Sequence, residues 1–352
     1  MKKLALTGSI IAFCAISAFG ATNQALIQKA KEAGLEPIPS GKALRDYQLQ
    51  KAKDTNLATG YSPKMTPAQI ELGKKLYFDP RISSSNLISC NTCHNLALGG
   101  ADIVPAAIGA KWQANPHHLN SPTVFNSVFN SVQFWDGRAQ HLGDQAQGPI
   151  QNPVEMAAAP KLVVEKITSI PAYVDEFKKA YGSKVKIDFK LIADTIAMFE
   201  ETLVTPSRYD DFLNGNPKAL SIEEQEGLDI FIDKGCTACH NGINLGGTMQ
   251  PFGVVKPYKF ANVGDFKGDE NGMVKVPTLR NIAETMPYFH NGQYWDVKDA
   301  IKEMGAIQLG ITINNDEAKK IQAFFESLTG TKPQIIYPVL PPVTDKTPKP
   351  SF

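Results

Sequence analysis

Two cysteine pairs, each followed at once by a histidine, are the residues of this sequence best placed to do chemistry: Cys90-Asn91-Thr92-Cys93-His94 and Cys236-Thr237-Ala238-Cys239-His240. Two thiols three positions apart reach the two vinyl groups of one porphyrin and form thioethers, while the adjacent imidazole turns under the ring to bind iron. This is the attachment signature of haem c. Covalent attachment retains the cofactor when the iron changes ligand or oxidation state. A zinc site would want further Cys or His at ligand spacing, and outside the motifs only His117, His118, His141 and His290 remain. A thioredoxin-type pair would sit near a βαβ pattern, which is not found. In an oxidising compartment four cysteines would by default form two disulfides, but the doubled spacing argues for two covalently bound haems.

Helices lead into both motifs. Thr66-Pro67 supplies an N-cap and an N1 proline before Ile70, Gly73, Leu76 and Tyr77, and Ser221 with Glu224 makes a capping box before Leu228, Phe231 and Ile232. The two approaches share a pattern, Gly73-x-x-Leu76-Tyr77-Phe78-Asp79 against Gly227-x-x-Ile230-Phe231-Ile232-Asp233. Each histidine is followed by a second echo, Leu98-Gly99-Gly100 and Leu245-Gly246-Gly247. Duplication of one haem-binding unit explains both, and two copies are too few for a solenoid. The fold class expected is therefore mainly α, with two cytochrome c-like domains and extended loops. Ile192, Ile196, Phe199 and Leu203 form one core-facing stripe, and Ile321, Phe324, Phe325 and Leu328 another. Thr205-Pro206-Ser207 marks the boundary, giving a first domain over 21–205 and a second over 206–331. Residues 332–352 carry six prolines, too many for a helix, and are expected to pack back on the first domain or stay loose.

Residues 1–20 read as a cleaved signal peptide: Lys2 and Lys3, an apolar run from Leu4 to Phe19, and small residues placing cleavage near Gly20/Ala21. Cys14 falls inside this segment. The segment is short for a membrane anchor and lacks basic residues after it, so export to the periplasm without stable membrane insertion is expected. With 36 Lys+Arg against 35 Asp+Glu there is no basic excess to attract nucleic acid.

From about Pro67 to Gly330 the sequence resembles the bacterial di-haem cytochrome c peroxidases. The likeness rests on SCNTCHN, SPTVFNSVFNSVQFWDGRAQ, PVEM, KGCTACHNGINLGG, PFGVV, LRNIAETMPYFHNG and MGAIQLG, in that order. The resemblance implies that the haem on His94 is the low-potential peroxidatic centre and the haem on His240 the high-potential entry point for electrons. It implies Met304 as second axial ligand of the latter, and a His/Met pair raises a haem's potential. Core packing is the commoner fate of a methionine, so the motif context alone carries that assignment. Glu155 falls at the family's catalytic acid/base and Gln145 at its peroxide-orienting amide. Trp135 falls at the tryptophan between the haems, and Asn120, Thr285 and Pro287 at a Ca²⁺ site of neutral oxygen ligands. The reaction implied is H₂O₂ plus two electrons and two protons giving two waters, the electrons arriving singly from a small cytochrome c or cupredoxin. A homodimer is an assembly common in that family.

The match breaks at one ligand. Many relatives carry a histidine sixteen residues after the first haem's histidine, where it caps the resting peroxidatic iron, and here Ile108-Gly109-Ala110-Lys111-Trp112 puts Ala110 in its place. Alanine cannot ligate iron. The site is therefore expected to be open, or capped by His117 or His118 from a loop two residues longer than usual. Two rival readings make different demands on the sequence. A non-catalytic di-haem carrier would need neither Glu155 nor a vacant coordination position, and a MauG-like oxidase of a partner protein would have tyrosine where this chain has Met304.

Overall fold

The computed structural model describes residues 23–54 and 64–352; the expected signal peptide and Cys14 lie outside the described residues. Helical residues 23–32 (α1) and Gly41–Asp54 (α2) precede the first haem unit. That unit is built from Pro67–Phe78 (α3), the short turn Cys90–Cys93 (α4), Leu142–Gln151 (α5), Pro160–Thr168 (α6), Pro171–Tyr181 (α7) and Phe189–Glu200 (α8). The second comprises Arg208–Leu213 (α9), Ile222–Asp233 (α10), Val297–Met304 (α11) and Asn315–Ser327 (α12). A two-stranded antiparallel sheet, Met249–Pro251 (β1) with Met273–Lys275 (β2), lies between α10 and α11. The mainly helical, two-unit architecture agrees with the expected fold class. Among the described residues no helix is long and apolar enough to cross a membrane.

Both haem-approach helices start as their sequences require. Thr66 accepts from the Gln69 amide while the Gln69 side chain accepts from the Thr66 amide, and Ser221 and Glu224 make the same reciprocal pair. Each helix then crosses a partner at a glycine. A Cβ on Gly73 would lie 2.1 Å from the Thr195 carbonyl of α8, and one on Gly227 would lie 1.9 Å from the Lys320 carbonyl of α12. Only hydrogen fits there, so the backbones meet directly. Equivalent aromatic pairs close the crossings, Tyr77–Phe199 at 5.3 Å and Phe231–Phe324 at 5.4 Å between ring centroids. The sequence repeat is thus also a packing repeat, α3 on α8 and α10 on α12.

The stripes of α8 and α12 face two separate cores, one around Leu72, Leu76, Phe177 and Ile196, the other around Tyr209, Leu228, Ile321 and Phe324. Chain order and packing part company at the ends. Ile27, Ala30 and Leu35, assigned to the first domain by position in sequence, sit in the second core, and Lys29 pairs with Asp229 and Asp233 of α10. The tail lies on the first unit: Tyr337 meets Phe78 at 4.5 Å, Arg81 donates to the Pro341 carbonyl, and the Ser351 amide to the Ser84 carbonyl.

Candidate functional site

Two cavities open beside the cysteine motifs. Cys90, Cys93 and His94 line the first; Cys236, Cys239 and His240 line the second. The local folds match. The His94 amide donates to the Cys90 carbonyl at 2.9 Å and that of His240 to Cys236 at 3.0 Å, so each histidine is wound back beside its thiols. Behind them, the Gly100 amide closes on Asn95 and the Gly246 amide on Asn241, both at 3.0 Å. Gly100 has φ +71° and Gly246 φ +148°, and a Cβ on either would run into neighbouring atoms, which is why the echoed glycines are needed.

The rings are prepared as ligands. Nδ1 of His94 lies 2.9 Å from the Pro122 carbonyl and Nδ1 of His240 lies 2.9 Å from that of Leu245. A nitrogen facing a carbonyl carries the proton, which leaves Nε2 with its lone pair free for a metal. Burial holds both imidazoles below the usual histidine range, so they are neutral donors. The four thiols are free. Burial pushes Cys93 up to about 12 and Cys236 to about 11, so they stay protonated until alkylated. Two thiols, a neutral imidazole and a largely apolar pocket form a donor set that fits a haem c in each cavity.

The walls differ in chemistry. Gln145 and Glu155 line the first cavity, from α5 and from the turn after it. Burial pushes the Glu155 carboxyl up, and an Asn152 Nδ2 donor 2.7 Å away partly offsets this. Met304 ends α11 where the chain widens into a π-turn, Gly305–Leu309, and lines the second cavity. No carboxylate lines that second cavity among the described residues. Trp135 lines both cavities; its Nε1 donates to the Asn120 carbonyl at 2.9 Å, and its ring stands edge-on to His290 at 6.3 Å.

Asn120, Thr285 and Pro287 all line the second cavity. Asn120 turns its amide nitrogen to the Val104 carbonyl at 2.9 Å, leaving the side-chain oxygen as the available donor. The set is neutral oxygen throughout, suited to a hard cation of modest affinity.

Ala110 is buried, and its amide donates to the Glu155 carbonyl at 2.5 Å. Neighbouring Gly109 runs so close that a Cβ would meet the Val154 carbonyl at 2.1 Å. The loop therefore lies folded against the segment that bears Glu155. Neither alternative cap reaches the cavity: His117 pairs with Asp265 at 2.8 Å, and His118 lies 3.5 Å from the Gln293 amide. Three charged groups on the cavity walls carry no role in the sequence reading, Arg138, Glu200 and Lys275. Glu200 continues the Ile192–Ile196 spacing by four residues and so was detectable as a core-facing acid. Lys275, in a short loop-like strand, carries no such signal.

Paired haem-c cavities in duplicated helical units define a di-haem c-type cytochrome. Comparison with known proteins narrows the class. The chain matches the family described as di-haem cytochrome c peroxidase over residues 67–218 and the cytochrome c family over 224–329. It is 51% identical over 297 residues to cytochrome c551 peroxidase of Pseudomonas aeruginosa, covering 80% of this chain and 85% of the relative. With cytochrome c551 peroxidase of Nitrosomonas europaea it shares 49% over 288 residues, covering 79% and 85%. The methylamine utilization protein MauG of Methylorubrum extorquens is more distant, at 30% over 301 residues, with 79% of this chain and 82% of that protein covered. A solved MauG-like protein associated with microbial copper homeostasis superposes with TM-score 0.66 at 24% identity, covering 75% of this chain and 90% of that one; it bears on the fold alone. The chain belongs to the di-haem cytochrome c peroxidases, and the family's two haems c correspond to its two motifs.

Proposed function

We propose that this protein reduces hydrogen peroxide to two waters in the periplasm, taking two electrons one at a time from a small cytochrome c or cupredoxin. The observation that carries the reading is the unequal dressing of the two cavities. The first is lined by two carboxyls, Glu155 and Glu200, the second by no carboxylate but by Met304 at the end of α11, and one tryptophan belongs to both walls. A pure electron carrier has no use for that asymmetry.

His94 and His240 would hold the two irons, with Met304 as the further ligand of the second. When bound, haem supplies the redox-active iron on which the peroxide O–O bond is cleaved. Glu155 would move the proton: its carboxylate takes one from a peroxide oxygen and, as the acid so formed, gives it to the other oxygen, the one released as water. Desolvation raises its basicity above that of an exposed carboxylate, which favours taking up the proton. Gln145 donates an N–H to peroxide without titrating. Trp135 fills the space between the centres, shortening the gap for electrons. Ala110, which offers no ligand atom, leaves the first centre open to substrate. Asn120, Thr285 and Pro287 would bind a Ca²⁺ at the wall of the second cavity.

Steady-state peroxide consumption with a reduced small cytochrome c tests the reading, alongside the spectrum of the oxidised holoprotein. Turnover without prior reduction and one high-spin haem are expected. Two six-coordinate low-spin haems would refute the open site, and electron transfer without peroxide consumption would leave a carrier.

A further inference from the structure

Lys275 is buried to 4% exposure at the end of β2, and it lines both cavities. Its backbone is pinned there, the amide donating to the Trp135 carbonyl at 2.7 Å. Among the described residues its ammonium has no hydrogen-bond or ion-pair partner. The nearest influential acid, Asp136, is already bound to Arg138 through both carboxylate oxygens at 2.8 Å. Glu155 and Glu200, which also line the first cavity, form no ion pair with it. Burial without a partner pushes the ammonium down to about 8, and a buried cation persists only where an anion meets it. Among the described residues, Lys275 is the one lysine or arginine that lines both cavities.

Each haem c brings two propionates, anionic at neutral pH. Resting on the two-haem reading above, we propose that Lys275 is a shared anchor: its ammonium takes propionate from the cavities on either side, and the cation favours the reduced form of both irons. The pairing also restores the charge that burial disfavours. A cation held between two one-electron centres in a poorly screened interior acts on both. It would couple the two potentials to one side chain without touching either axial ligand.

The test is spectroelectrochemical titration of wild-type, Lys275→Met and Lys275→Arg holoproteins, with haem content counted by pyridine haemochromogen. In Lys275→Met, the oxidised-to-reduced ratio at the wild-type midpoint should rise about tenfold at each haem, or ~59 mV for a one-electron couple. Lys275→Arg should stay within about twofold. Unchanged ratios in Lys275→Met, or a shift at one haem only, overturn the proposal. If Lys275→Met fails to load haem, loading and wild-type ratios in Lys275→Arg support the charge role. Failure of Lys275→Arg as well overturns it. A wild-type chain carrying fewer than two haems sinks the two-haem reading itself, and the count distinguishes that case.

Discussion

Glu155 and Glu200 line the same cavity and show how two carboxyls can be assigned unlike duties. Glu155 keeps a hydrogen-bond donor, Asn152 Nδ2 at 2.7 Å, which favours its charged form against the desolvation that raises it. Glu155→Gln keeps the shape and removes the proton shuttle. We expect kcat to fall by about 10²–10⁴ with a far smaller change in KM, read from steady-state peroxide kinetics. Glu200 has a carboxylate oxygen without a partner, and burial raises it to about 8. In the unfolded chain it would ionise near its ordinary value of 4.5. Below that value both states are protonated and the residue costs nothing through ionisation. As pH climbs from 4.5 to 8 the unfolded chain gains charge that the folded one refuses, so stability drains away across that window. Glu200→Gln should therefore unfold at the wild-type temperature at pH 4.5 but visibly higher at pH 9, an advantage on the order of a few kcal/mol. Melting curves at the two pH values decide it; an advantage that does not grow with pH would mean that a cation or hydrogen-bond donor stabilises the Glu200 carboxylate in the fold.

At the scale of elements, most of what builds the site was legible beforehand because it is local. Caps at Thr66 and Ser221, the stripes of α8 and α12, and the echoed glycines are all short-range patterns with one physical solution each. What Gly73 and Gly227 do was not legible, since a glycine inside a helix signals only weakness until its neighbour is known. The structure supplies that neighbour. Gly227→Ala, which would improve an isolated helix, should instead destabilise the second unit by about 1–3 kcal/mol through the clash with the Lys320 carbonyl. Chemical denaturation followed at the second haem measures it. The loop around Ala110 is a similar case. Its sequence announced a missing ligand, but only the contact of Ala110 with the Glu155 backbone says that the loop still lies closed. Ala110→His should therefore supply an iron ligand from a loop already in position. We expect the high-spin signal of the oxidised protein to vanish and peroxide turnover to require prior reduction. A spectrum unchanged by the substitution would show that the loop stands too far from the iron.

The whole molecule is held by an exchange of ends. The segment from α1 to Leu35 leaves its neighbours in sequence to fill the second core, and residues beyond Pro333 cross back to cover the first. Sequence order implied the opposite for the N-terminal arm, because nothing local records a partner nearly two hundred positions away; Ile27 and Ala30 look like any helical stripe. The exchange ties each unit to a strap that begins or ends in the other's territory, so the units should respond separately to loss of their straps. Ile27→Ala removes apolar volume from the second core and should cost about 2–5 kcal/mol there. Deleting residues 333–352 uncovers Phe78, Arg81 and Ser169, which the tail contacts through Tyr337, Pro341 and Thr347. Amide hydrogen exchange on the two holoprotein variants separates the effects. In the first, exchange should quicken in α10 and α12 while α3 and α7 hold; in the second, the pattern should reverse. Equal acceleration in all four helices from either change would mean that the two cores unfold as one, and that the straps join the units into one cooperative body.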